Sequence, residues 1–226
     1  MHMTTAAEAV KLIRSHDSVY IQGSTSIPEV LVRAMADRGE ELRGVKVYSG
    51  FAVGRADAPY CRAEYRDSFL VNSLFVANNI RRWLAEGYGQ SIPAFLGEIP
   101  GFFRDGTLSV DVALLNLSRP NAEGYCSFGV SADLAVSAVE CAKTVIAQIN
   151  DAMPFSYGAA SSIRSIRSAV WKRVRSFFSA MFSHTVSSSK RRSSWKSSPS
   201  ERRRRSHHPP TERLRLSVAS KRIVPS

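Results

Sequence analysis

Three short stretches of this chain combine residue types and spacings that could do chemistry. Gly23-Ser24-Thr25-Ser26 is a polar turn between the strand-like run Val19-Tyr20-Ile21 and a helix start marked by Pro28 and Glu29. In a parallel sheet such a turn faces incoming ligands, and the first N–H groups of the following helix attract anions. A Gly/Ser turn and cap with no ligand reads the same residues equally well. Asn79 and Arg81 stand where a strand gives way to a helix. The Arg81 guanidinium suits a carboxylate or phosphate, or a plain surface ion pair. Gly124, Tyr125, Ser127 and Gly129 make a compact turn. Its glycines serve backbone geometry first, with the adjoining helix start as a candidate cleft wall.

Other chemistries find little support. The only histidines in residues 1–157 are His2 and His16, which argues against a His-based triad or a His-rich zinc site there. Cys61, Cys126 and Cys141 are odd in number, far apart and outside any metal-ligand spacing. The expectation is therefore three reduced thiols in a cytoplasmic protein, with no metal and no bound cofactor. The N-terminus has no cationic, apolar leader pattern, and no apolar run approaches the ~18 residues that a membrane span needs. Most acids of residues 1–157 read as solvated charge on polar helix faces and loops.

The elements that must position these stretches alternate. Thr5-Ala6-Ala7-Glu8 is a capping box opening a helix to about residue 15. Strands are expected at 19–21, 45–48, 69–76, 110–117 and 144–149, with a short one at 92–96 that carries Pro93 near its start. Helices are expected from about residue 28 to Gly39, at 80–86, and from Val130 to Ala142 with Ser131 or a neighbour as its cap. Residues 123–129 read as a tight turn or hairpin. The apolar run Val110–Leu117 suits a strand covered on both faces. Alternating strands and helices imply α/β architecture, with a mainly parallel sheet and helices on both faces.

The charge is not spread evenly. The 226 residues hold 31 Lys and Arg against 19 acids, a formal +12. Residues 158–226 hold 17 of those cations and only Glu201 and Glu212, a local +15, so residues 1–157 carry −3. About 157 residues suit one domain, or one lobe of a larger enzyme. The boundaries expected are a domain over 1–158 and a low-complexity Arg/Ser-rich tail over 159–226. One-signed charge and few apolar residues predict a disordered tail. At face value, Lys190-Arg191-Arg192 and Arg202-Arg203-Arg204-Arg205 could bind nucleic acid or another polyanion without sequence preference. Trp171, Phe177, Phe178, Phe182 and Trp195 could stack on bases, and Ala169–Phe182 could form a basic amphipathic helix at an anionic membrane.

Five segments carry a family resemblance. Thr5–Ile13 (TAAEAVKLI), Ser91–Phe103 (SIPAFLGEIPGFF), Gly106–Leu115 (GTLSVDVALL), Glu123–Asp133 (EGYCSFGVSAD) and Ala142–Pro154 (AKTVIAQINDAMP) follow one another in order. Together they resemble the N-terminal half of the acetyl-CoA hydrolase/4-hydroxybutyrate CoA-transferase family. The resemblance implies a CoA-transferase-like fold built of two halves with the active site between them. It implies coenzyme A thioesters and short carboxylates such as acetate as substrates, and leaves a homo-oligomer open. In that chemistry a glutamate attacks the acyl-CoA thioester to give an acyl-glutamyl anhydride. It then carries CoA as a glutamyl thioester for return to an acceptor acid or to water. The family's glutamate lies in the second half, in a His-Thr-Glu-Met-like stretch after a Gly-Ile-Gly-like loop, and neither motif occurs here. Glu98 matches a first-half position that is not the nucleophile, so no catalytic residue is assigned. By resemblance, Ser24 and Thr25 approach the acyl group or CoA, Asn79 and Arg81 match an Asn-x-Arg junction, and Gly124 to Gly129 match a Gly-Tyr-Cys-Ser-x-Gly turn.

The family pattern after Met153-Pro154 and Gly158 continues close to Asp-Ser-Phe-Ile-His, whereas this chain has Ala159-Ala160-Ser161-Ser162-Ile163. Codons of the form GCN, TCN, TCN and ATH for residues 160–163, read one base earlier, permit Ser-Phe-Ile-His. The expectation is that residues from about 159 are an out-of-frame translation and that the chain is a truncated family member. The DNA across these codons tests this: the idea fails if no single-base change restores a family-like second half.

Overall fold

The computed structural model describes residues 2–52, 58–158 and 168–172. All lie in a compact unit, Met1–Phe177. The strands are β1 (His2–Thr4), β2 (Ser18–Ile21), β3 (Val45–Ser49), β4 (Phe69–Ser73), β5 (Gly89–Ser91), β6 (Val112–Leu117), β7 (Thr144–Asn150) and β8 (Ser168–Lys172). The helices are α1 (Ala6–Ala9, continued by a 3-10 turn over Val10–Leu12), α2 (Glu29–Ala36), α3 (Asn78–Ala85), α4 (Ile99–Arg104) and α5 (Ala135–Cys141). A second 3-10 turn spans Ala63–Tyr65. One eight-stranded sheet runs in the order β1-β8-β7-β6-β2-β3-β4-β5. Every neighbouring pair is parallel.

Strand alternation divides the core into two layers. One face of the sheet turns Val19, Ile21, Val47, Val71, Leu114 and Ile146 toward Ile13, Leu31, Met35 and Ile80 of the α1–α3 side. The other turns Tyr20, Tyr48, Leu115, Leu117 and Ile149 toward Phe103, Ala135 and Ala138 of α4 and α5. All six residues of β6 are buried, as expected for a strand covered on both faces. Each large aliphatic side chain taken from water here contributes about 1.5–3 kcal/mol. Arg38 ties layers of the α1 side together by donating to the carbonyls of Val10 and, at 2.9 Å, Ile13. At the amino edge of the sheet, Asp111 accepts the Ser18 N–H at 2.8 Å and pairs with Lys143 at 2.6 Å. Burial pushes the Asp111 carboxyl up, but the Lys143 ammonium and the Ser18 N–H outweigh it and hold it below the ordinary carboxylate range.

Several expectations are corrected. The strand at 92–96 is replaced by β5 three residues earlier. Pro93 has no N–H for a ladder, and the Glu98 carboxylate instead accepts the Phe95 N–H at 2.9 Å, turning the chain into α4. Helix α4, with its proline in the first turn, lies inside that region and had not been expected. The strand from 69 stops at Ser73 rather than 76. Helix α5 begins at Ala135 rather than Val130, and Ser131 does not cap it. The Ser131 carbonyl and hydroxyl face the β2 turn instead, and Asp133 Oδ1 accepts the Leu134 N–H at 2.7 Å. The first helix is shorter than expected. Thr5 accepts the Glu8 N–H at 3.2 Å, but Glu8 pairs with Lys11 rather than reaching back. Residues 121–125 close as a tight turn, Asn121 Oδ1 accepting the N–H groups of Glu123 and Tyr125.

Residues 168–172, expected within a disordered tail or in a basic helix from Ala169, form β8. They fill the place between β1 and β7, where a parallel ladder is offered on both sides, and Val170 and Trp171 are good strand formers. The remaining expectations for the tail, including the basic clusters and the shifted frame, concern residues 159–167 and 173–226, outside the described residues.

Candidate active-site loops at the carboxyl edge of the sheet

Because the strands are parallel, every loop that follows one opens at the same edge. Those after β2, β6 and β7 are stitched together side by side. Gln22, the first residue past β2, is fully buried. Its side-chain carbonyl accepts the Asn116 N–H at 2.8 Å and its amide donates to the Ser131 carbonyl at 2.8 Å. Gln148 extends the series, donating to Asn116 Oδ1 at 3.5 Å and accepting the Val30 N–H at 3.2 Å. Three buried amides on adjacent strands thus fix two loops and the start of α2. A buried network of this kind rigidifies what it touches.

The Gly23–Ser26 turn is built on that support. Ser24 adopts φ 56° and its N–H donates to the Phe51 carbonyl, forming a parallel bridge with Ala52. A left-handed serine is uncommon and marks a constrained turn. A Cβ on Gly23 would lie 2.8 Å from the Phe51 carbonyl oxygen, so the close approach of the two loops requires glycine there. The Ser24 hydroxyl donates to Asp133 at 3.0 Å, and Thr25 Oγ1 lies 3.3 Å from Ser131 Oγ. Thr25 itself is exposed.

Ser127 is a second junction. Its buried hydroxyl accepts the N–H groups of Gly129 at 3.0 Å and Ser156 at 3.1 Å and lies 2.9 Å from Ser156 Oγ. Its own N–H donates to Ser118 Oγ at 2.9 Å. Arg119 and Asp151 pair at 2.7 Å across the same two loops. Gly124 and Gly129 both have positive φ, 82° and 66°. A Cβ on Gly129 would collide with Met153 Sδ. Tyr125 is half-buried above this turn.

The structure therefore brings Ser24 and Thr25 to the loop that begins with the Gly124–Gly129 turn, and joins that turn to the loop after β7. Gly23 and Asn79 line one small cavity with Ser49 and Gly50. Arg81 is exposed on α3. A larger groove of about 640 Å³ crosses β3, β4 and β5 elsewhere on the sheet and includes none of the candidate residues. Sequence reasoning missed Gln22, Asn116, Gln148, Asp133 and Ser156. The available signal was an amide inside or just beyond an apolar strand, which must find partners once buried.

Three acidic groups at this edge are engaged. Asp133 holds Ser24 and the Leu134 N–H, Asp151 holds Arg119, and Glu98 caps its own turn. Burial pushes the Cys126 thiol up, away from a reactive thiolate. Among the described residues, no group of three or more His, Cys, Asp or Glu could hold a metal ion, and no helix is long and apolar enough to cross a membrane.

Comparisons with known proteins agree on one family. The model of the acetyl-CoA hydrolase/transferase N-terminal domain matches residues 1–169. The 4-hydroxybutyrate coenzyme A transferase of Clostridium kluyveri is 35% identical over 156 residues, 69% of this chain and 36% of that protein. The succinyl-CoA:acetate/propanoyl-CoA:succinate CoA transferase of Fasciola hepatica is 31% identical over 156 residues, 68% of this chain and 32% of that protein. The chain thus spans about a third of the length of these relatives. Among solved structures, RipA from Yersinia pestis shares the fold with TM-score 0.70 at 24% identity, over 78% of this chain and 43% of its own. The 4-hydroxybutyrate CoA-transferase of Porphyromonas gingivalis has TM-score 0.60 at 28% identity, over 76% and 39%. The mainly parallel sheet with helices on both faces is the CoA-transferase fold, and the chain belongs to the acetyl-CoA hydrolase/transferase family, whose N-terminal domain it carries.

Proposed function

We propose that residues 1–158 form one wall of an active site for CoA transfer between short acyl-CoA thioesters and carboxylates such as acetate, with thioester hydrolysis when water is the acceptor. The observation that carries this reading is the convergence of the loops after β2, β6 and β7 at one edge, buttressed by the Gln22–Asn116–Gln148 network, in a chain of this family. Ser24 and Thr25 are assigned to the acyl group or CoA, with the Gly124–Gly129 turn and the start of α5 as the adjoining wall. Arg81 is assigned to an anionic group of acceptor or CoA, for which a guanidinium fork is suited.

The carboxylate that attacks the thioester is assigned outside residues 1–158. Asp133, Asp151 and Glu98 at the carboxyl edge are held in hydrogen bonds and ion pairs, whereas a nucleophilic glutamate must be free to form an anhydride and then a thioester. Incubating the purified chain with radiolabelled acetyl-CoA and acetate tests the assignment. The expectation is acyl-CoA binding by calorimetry, weakened by Ser24→Val, with no label exchange above a mock purification. Exchange by the chain alone overturns the placement of the nucleophile. Absence of any acyl-CoA binding overturns the cleft assignment.

A second reading rests on the +15 carried by residues 158–226: contact with nucleic acid or other polyanions through counterion release. RNA binding whose affinity falls steeply and linearly with salt on logarithmic axes supports it. Equal binding by a chain ending at residue 177 removes it.

A further inference from the structure

Among the described residues, four buried side-chain oxygens have no hydrogen-bond partner: Ser26 Oγ, Ser49 Oγ, Ser73 Oγ and Asn79 Oδ1. All belong to the carboxyl edge. Ser26 lies in the turn after β2, Ser49 and Ser73 end β3 and β4 opposite one another, and Asn79 is the second residue of α3. Leaving a buried polar group unpaired is costly, and folded proteins rarely tolerate several side by side. Nothing in the structure explains the Ser26 and Ser73 hydroxyls, but Ser49 and Asn79 share a feature. Both line one small cavity of about 20 Å³, together with Gln22, Gly23, Gly50, Ala52, Tyr60 and the aliphatic side chains of Ile21, Ile27 and Val32.

Size and wall chemistry together select the occupant. One water needs roughly 10–15 Å³ of such space and two to four polar partners. A small-molecule site needs about 300 Å³ or more, so acetate and larger carboxylates do not fit. A bare cation would face Ile21, Ile27 and Val32 on one side with too few oxygens on the other, and its desolvation would go uncompensated. Water suits both oxygens: it can donate to the Asn79 carbonyl, which only accepts, and either donate to or accept from the Ser49 hydroxyl.

We propose that this cavity binds a single ordered water that bridges Ser49 Oγ and Asn79 Oδ1. The bridge fastens the end of β3 to the first turn of α3 beneath Gly23. It joins two elements that no direct side-chain hydrogen bond joins among the described residues, the β3 end bearing Phe51 and the helix bearing Arg81, and the β3 end is in turn tied to the β2 turn by the Ser24 N–H to Phe51 carbonyl bond. The proposal concerns solvent and holds whether or not the chain takes part in CoA chemistry.

Two measurements on the 226-residue chain test it. In a crystal structure at about 1.8 Å resolution, a solvent peak is expected within about 2.7–3.2 Å of both oxygens. No peak, or Asn79 bonded directly to Ser49, overturns the proposal. In urea unfolding, Ser49→Ala and Asn79→Ala are each expected to lower the midpoint. The double variant should be no lower than the worse single one, because either change already releases the water. Losses that add in full overturn it. Should a variant fail to fold, water-to-amide NMR cross-peaks at Gly50 and Asn79 in the unmutated chain decide the matter, and their absence counts against the bridge.

Discussion

Gln22 and Ser131, 109 residues apart in sequence, meet through a 2.8 Å hydrogen bond from the Gln22 amide to the Ser131 carbonyl. The contact fastens the turn after β2 to the loop after β6, and the other end of the same side chain accepts the Asn116 N–H. Gln22→Leu keeps the approximate volume and deletes both bonds, leaving a buried N–H and a buried carbonyl unpaired. The expected loss is about 2–4 kcal/mol, from the cost of unsatisfied buried groups. Urea unfolding measures it. Gln22→Glu should be at least as harmful, since it buries a carboxylate where an amide donor is needed.

Gly129 faces two constraints together, a φ of 66° and a space already filled by Met153. Gly129→Ala should lower stability by about 1–3 kcal/mol from backbone strain alone, with the collision in addition. Combining it with Met153→Ala removes the collision and leaves the strain. The double variant should therefore lose less than the sum of the two single losses, as a thermal unfolding series checks. A fully additive double variant refutes the contact.

Much of the scaffold was legible because parallel strands covered on both faces write themselves as apolar runs. Val112–Leu117 and Thr144–Asn150 stand out in the chain, and each is a central strand. What stayed hidden depends on partners distant in sequence. Nothing near Ser131 announces that its carbonyl is taken by Gln22, so it read as a helix cap. Nothing near Ile92 announces that the ladder lies at Gly89–Ser91, although Pro93 gave a warning. The site residues divide the same way. The Gly23–Ser26 and Gly124–Gly129 turns carry local signatures in their glycines, whereas Asp133 and Ser156 acquire their contacts only when three loops converge.

Asp111 lends the fold a defined pH response. Its carboxyl is held below the ordinary range, so the stability it contributes is present above the unfolded value of about 3.9. That contribution is lost as pH falls through the lower folded value. Asp111→Asn should therefore lower the urea midpoint at neutral pH and converge on the unmutated chain in acid. Because Lys143 is largely exposed, the difference should also shrink in high salt. A gap that persists once the carboxyl is protonated in the folded chain shows that the side chain acts through packing rather than charge.

Strand β8 lies between β7 and β1, and among the described residues β1 has no other neighbour in the sheet. Removing residues 159–226 should free His2–Thr4 and expose the whole edge of β7, whose backbone then offers an unpaired ladder to other chains. Residues 1–158 expressed alone should show fast amide exchange at Met3 and Thr4 and should elute as larger species in size-exclusion chromatography. A chain ending at residue 177 should keep slow exchange there and elute as a smaller species. The comparison separates two sources of cohesion. The central strands β6 and β2 retain both neighbours in either chain, so their amides should exchange slowly in both. If the two chains protect Met3 and Thr4 equally, the ladder between Ser168–Lys172 and its neighbours contributes nothing to the fold, and the family domain closes at residue 158.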